Sequence, residues 1–213
     1  MKNMKLLAGI LVFGSLWGFS EVIIGSGLKD SGLPSGAIMT GIFAMMFLVF
    51  SRLLYRQPGM QLGMGLVAGG LRWFNPFVGC HICSAFAIVG EALIFELIWY
   101  KVKDMELLKT MTLQSSMGVI SSYGVYVGGY IITQILTPLS VGRFSFSNLL
   151  VLIPQIFASG LLAALLGACI VPLAVATASL NISVHDRLYY PATIGISALC
   201  WCIVIITWFT AGA

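Results

Sequence analysis

Seven long apolar stretches separated by short polar turns leave this chain little choice of fold. They cover about 6–27, 35–54, 60–79, 84–100, 113–136, 149–178 and 191–211. Each approaches or exceeds the ~20 residues that a helix needs to cross a bilayer. The punctuation between them is made of turn formers and charges: KDSGLPSG, RQPG, NPFVG, KVKDMELLK, TPLSVGRFS and NISVHDRLYYP. A backbone surrounded by hydrocarbon must satisfy its own N–H and C=O groups, which a helix does.

Composition agrees. The chain is 59% apolar and only 8% charged, against roughly 25% charged residues in soluble domains. The expected architecture is an all-α, polytopic transmembrane bundle of six to seven helices. It forms a single membrane-embedded domain over residues 1–213, without a soluble domain. The third segment is rich in glycine and the sixth carries Pro154 and Pro172, so these two are expected to be broken, kinked or partly re-entrant. If one fails to span, the count is six. The opening MKNMK runs into an apolar stretch with no Ala-x-Ala type site before Leu28. It is therefore expected to stay as the first helix rather than leave as a signal peptide.

Lysine and arginine placement orients the bundle. With the N-terminus cytoplasmic, the inner side holds Lys2, Lys5, Arg52, Arg56, Lys101, Lys103, Lys109 and Arg187, and the outer side only Lys29 and Arg143. The expected location is the cell's inner (cytoplasmic) membrane, crossed many times, with lipid as the solvent. No basic run or stripe marks a nucleic-acid partner, and no cofactor motif is present.

Ionisable residues inside a membrane are costly and face a cavity or a partner. Four lie well inside the apolar segments, away from their ends: Glu21, Arg72, Glu91 and Glu96. At ~1.5 Å of rise per residue, Glu21, Arg72 and Glu91 lie about 22, 18 and 20 Å from the inner boundary. The three share one layer just outside the midplane. Glu96 is deeper, at about 12 Å, and about 140° around the helix from Glu91. It reads as an inner-half pairing or coupling residue, or as one that snorkels toward the basic loop.

The layer of three has two readings. One is an Arg72–Glu91 ion pair that pins two helices. The other is a small-molecule pocket, with Trp17 one turn from Glu21 and Trp73, Phe74 and Asn75 following Arg72. Aromatic walls with a few converging polar groups describe such a site. A net charge near −1 would suit a cationic or zwitterionic heteroaromatic solute.

The stretch GCHICS contains Cys80, His81 and Cys83. Thiol and imidazole are zinc ligands, but a structural site wants four and no others are well placed. A structural turn with buried thiols, a local Cys80–Cys83 disulfide, a pocket rim and a metal site all remain open. No hydrolase, kinase or zinc-protease motif accompanies them, so an enzyme is not the leading expectation. A metal or redox membrane protein working at these residues is the alternative function, and a structural subunit of a larger membrane complex is another.

Small residues recur at four-residue spacing, including Gly14 and Gly18 in the first segment. Such pairs let membrane helices approach closely, either within the bundle or against a partner, and the first segment suits docking best. With the glycine-rich GMQLGMGLVAGG and the charges toward the outer half, this helix gives the whole chain the outline of a known family. It resembles the substrate-binding S components of energy-coupling-factor vitamin transporters. The resemblance implies a six-helix bundle that captures a vitamin or precursor from outside. It would pass the solute on by toppling against a transmembrane coupling protein, powered by cytoplasmic ATPases.

Overall fold

The computed structural model describes residues 2–75, 80–100, 109–141, 146–178 and 186–211. These form seven helices and no strand. Helix α1 runs over Lys2–Phe19, passes through a π-helical stretch, Ser20–Ile24, and ends as Gly25–Asp30. Helix α2 is built the same way, from Ser35–Ile38, the π-helical Met39–Ala44 and Met45–Tyr55. Then follow α3 (Met60–Trp73), α4 (His81–Ile98), α5 (Met111–Val141), α6 (Phe146–Ala178) and α7 (Asp186–Thr210). Lys101, Lys103 and Arg143, counted in the charge bias, lie outside the described residues.

Six of the helices are long and apolar enough to cross a membrane. The exception is α3, whose 14 residues rise only about 21 Å, short of a ~30 Å hydrocarbon core. Among the described residues, the helix of the glycine-rich segment is thus the one too short to span by itself. The other suspect, α6, carries Pro154 and Pro172 within one unbroken helix. The local irregularities fall instead in α1 and α2, where no proline gives them away.

The helices close into a ring in which α1 packs on α3, α3 on α4, α4 on α5, α5 on α6, α6 on α2 and α2 on α1. Helix α7 lies outside the ring against α1. The main core fills the ring with Trp17, Met45, Leu48, Met64, Ile88, Phe95 and Trp99. The outside is greasy too: Leu66, Leu97, Leu165, Leu188 and Phe209 are all exposed, an inversion of soluble proteins that matches a lipid environment.

The α1–α3 contact shows what holds such helices together. A Cβ added to Gly14 would stand 2.7 Å from Val67 Cβ and 2.8 Å from the Met64 carbonyl. One added to Gly18 would stand 2.8 Å from Leu71 Cβ. The pair expected at a partner-docking surface is therefore consumed inside the chain, where missing side chains let two backbones meet.

The polar groups near the N-terminal end of the bundle are helix caps. Arg52 is buried and its Nη2 donates to the Trp99 carbonyl at 3.0 Å, at the C-terminus of α4. Glu96 accepts from the backbone N–H of Gly59 and, at 2.9 Å, from that of Leu62. It thereby satisfies donors that the first turn of α3 leaves open. Glu96 neither pairs with a basic residue in these contacts nor joins the other membrane charges; it is an N-terminal cap supplied by a neighbouring helix.

Candidate functional site

At the opposite end of the bundle, five helices line a partly open cavity of about 300 Å³. Its wall from α5 is Tyr126, Gly129, Tyr130, Thr133 and Gln134, and its wall from α4 is Ser84, Ala87, Ile88 and Glu91. Helix α2 adds Ser35, Gly36, Met39 and Thr40, while α1 and α3 each send one charge, Glu21 and Arg72. The three charges expected in one layer thus meet in one space.

The two π-helical stretches sit on this cavity. Glu21 belongs to the first, Met39 and Thr40 to the second. A π-turn inserts an extra residue and rotates the side chains that follow, a device frequent at functional sites. In α1 the irregularity has a local chemical companion. The Ser20 hydroxyl donates back to the Trp17 carbonyl at 2.7 Å, and Ser26 does the same to Val22; such back-bonding bends helices.

The charges are paired differently from the simplest sequence reading. Arg72 Nη1 lies 3.8 Å from Glu21 Oε2 and also donates to the Glu21 backbone carbonyl. The ion pair therefore ties α3 to α1, not to α4. Glu91 accepts at Oε1 from the Thr40 hydroxyl, 3.4 Å away. Its Oε2 is buried and has no hydrogen-bond partner, with only 9% of the residue exposed. Glu91 still feels both Glu21 and Arg72 electrostatically. Counting formal charges, Glu21 and Arg72 cancel and Glu91 leaves the cavity at −1.

Room for Glu91 comes from Gly129. A Cβ there would stand 2.5 Å from Glu91 Oε1 and 2.6 Å from its Cγ, so only glycine lets the side chain lie on α5. Beside it, the Tyr126 and Tyr130 rings are 5.0 Å apart between centroids and tilted by 35°.

The aromatic residues expected around the pocket are elsewhere. Trp17 is wholly buried in the main core; its indole faces Glu21, yet its N–H finds no good partner. Trp73 is 49% exposed, facing outward from the end of α3. Phe74 packs edge-on against Trp201 and Trp208 of α7, at 6.2 and 5.7 Å between centroids. Asn75 is buried in the turn that ends α3, its N–H donating to the Arg72 carbonyl at 3.1 Å. None of the four lines the cavity; tyrosines of α5 take the place assigned to tryptophans.

Cys80 and Cys83 are joined in a disulfide, and Cys80 Sγ, at the N-cap of α4, accepts from the Cys83 N–H at 3.2 Å. His81 Nδ1 pairs with the Trp73 carbonyl at 3.1 Å, tying the end of α3 to the start of α4. Of the readings left open, the local disulfide is the one observed. Bonded sulfurs are not thiolate ligands, and no group of three or more His, Cys, Asp or Glu residues able to hold a metal occurs among the described residues.

Comparison with protein-family models, with curated proteins and with solved structures finds no match to this chain.

Proposed function

We propose that this protein is a solute-capturing component of a membrane transporter, binding a small organic molecule in the cavity ringed by Glu21, Arg72 and Glu91. One observation carries the reading: three membrane-embedded charges converge on one cavity, and one carboxylate oxygen there is left without a partner. Helix pinning alone would use the Glu21–Arg72 pair and have no need of a third buried charge, which costs several kcal/mol to keep. The volume lies at the small end of the ~300–1,000 Å³ range of ligand pockets, which fits a compact solute of vitamin-precursor size.

With the N-terminus cytoplasmic, as the lysines and arginines favour, the cavity opens toward the outer face of the inner membrane. The outline shared with S components extends the proposal to a transmembrane coupling protein and cytoplasmic ATPases as partners. The docking surface on this chain would then be other than Gly14 and Gly18, which α3 already covers.

The test is mass analysis of the protein purified gently in detergent. The expected result is an organic compound near one per chain, lost when Glu21→Gln and Glu91→Gln are combined. A folded double variant that keeps the same compound, or supports unchanged uptake, removes the proposal.

A further inference from the structure

We propose that the solute carries a single N–H-donating cationic group, a protonated amine or an amidinium, and that this group sits between Glu91 and the Tyr126–Tyr130 pair. The inference rests on the solute-capture reading and specifies its ligand chemistry.

The first step is charge. Among the described residues lining the cavity, only Glu21, Arg72 and Glu91 are charged. Arg72 is engaged twice by Glu21, through the carboxylate and through the backbone carbonyl. Its charge is therefore already offset by Glu21, which disfavours it as the partner of a ligand carboxylate. Counted formally, one negative charge remains at Glu91, and a monocation that enters beside it would hold it ionised; this favours a monocation over an anion and over a zwitterion.

The second step is hydrogen bonding. Glu91 Oε2 is an acceptor buried without a donor, and an unsatisfied buried acceptor is expensive. Thr40 reaches only Oε1, and at 3.4 Å only weakly. The missing partner is a donor that enters with the ligand. A quaternary ammonium has charge but no N–H, and would leave Oε2 as it is. An ammonium or amidinium supplies both.

The third step is the wall. Tyr126 and Tyr130 follow one another along the same face of α5, with Gly129 between them as the bed of the Glu91 side chain. Aromatic faces next to a carboxylate attract cations through the ring quadrupole. The carboxylate gives direction and the rings give affinity for an organic rather than a metal cation.

The test uses the full chain in detergent, titrated calorimetrically with benzylamine, benzamidine, benzyltrimethylammonium, benzyl alcohol, benzoate and phenylalanine. Benzylamine or benzamidine is expected to bind best, roughly 10- to 100-fold tighter than the quaternary probe, as the loss of one charge-assisted hydrogen bond implies. Glu91→Gln should weaken the amine by a similar factor, while Glu96→Gln leaves it unchanged. The comparison of amine with quaternary probe is made on the native chain and needs no variant to fold. Equal binding of those two, or amine binding indifferent to Glu91→Gln, overturns the proposal. Preferred binding of benzoate or phenylalanine, lost in Arg72→Gln, overturns it too but leaves solute capture standing. Binding of no probe, together with no retained compound in the mass analysis, removes both.

Discussion

Glu91 lies on Gly129: a methyl group on that glycine would overlap the carboxylate, with only 2.5 Å to Oε1 and 3.0 Å to Cδ. The site thus depends on two residues of different helices whose relation is purely steric. Gly129→Ala should displace the Glu91 side chain without removing any charge. In a helix interior alanine is favoured over glycine by about 1 kcal/mol, which offsets part of the crowding. The expected outcome is a folded protein of near-native melting temperature whose retained solute falls at least about 10-fold, the effect of losing one good charged contact. Thermal unfolding and mass analysis of the same sample check both halves.

The Glu21–Arg72 pair should behave as a unit. Removing one partner of a buried pair strands the other charge, at about 3–5 kcal/mol, whereas removing both costs much less. Arg72→Gln and Glu21→Gln are each expected to lower stability, with Arg72→Gln the worse because the Glu21 backbone carbonyl also loses its donor. The double variant should recover much of the loss. A double-mutant cycle from reversible unfolding in detergent measures the coupling; strict additivity would mean that the 3.8 Å contact is incidental.

How much of this was legible beforehand differs between the frame and the site. The helices follow from apolar runs and turn residues, and the layer of Glu21, Arg72 and Glu91 follows from counting rise per residue. Their pairing does not, because depth along a helix says nothing about azimuth once a π-turn intervenes, and both π-turns sit beside the cavity. The aromatic wall was misplaced by reading sequence neighbours of the charges. Trp73 and Phe74 adjoin Arg72 in the chain but point to other sides of the helix end. A signal for the residues that line the cavity was present. Tyr126, Gly129, Tyr130, Thr133 and Gln134 stand at i, i+3, i+4, i+7 and i+8, a polar and aromatic stripe on one face of an otherwise apolar helix. Ser84, Ala87, Ile88 and Glu91 repeat the pattern on α4. Glu96 was out of reach, since a carboxylate capping another helix leaves no periodic mark.

The disulfide gives a count. Five cysteines are present, and Cys169, Cys200 and Cys202 are free. Denatured protein prepared with its thiols protected from exchange should therefore show three reactive thiols before reduction and five after. The loop is short, with a sequence separation of three residues, so chain-entropy reasoning gives the bond at most about 2 kcal/mol of stability. Replacing both cysteines by serine should lower the unfolding temperature slightly and leave solute retention intact. Five reactive thiols before reduction would show the pair to be open and return the metal reading to consideration.

Gly18 separates internal packing from partner docking. Its missing side chain admits Leu71 and the Ala68 backbone, the latter 2.9 Å from where a Cβ would stand. A backbone atom at that distance cannot swing aside as a side-chain tip does, so α1 and α3 would have to separate. Gly18→Leu should therefore damage the isolated protein itself, by the 1–3 kcal/mol or more typical of overpacking, and loosen Arg72 from Glu21 because the same two helices carry that pair. The measurement is unfolding of the purified chain with no partner present, read alongside solute retention. A surface role for the glycine predicts the reverse, an isolated protein of native stability and a defect that emerges only in a larger complex.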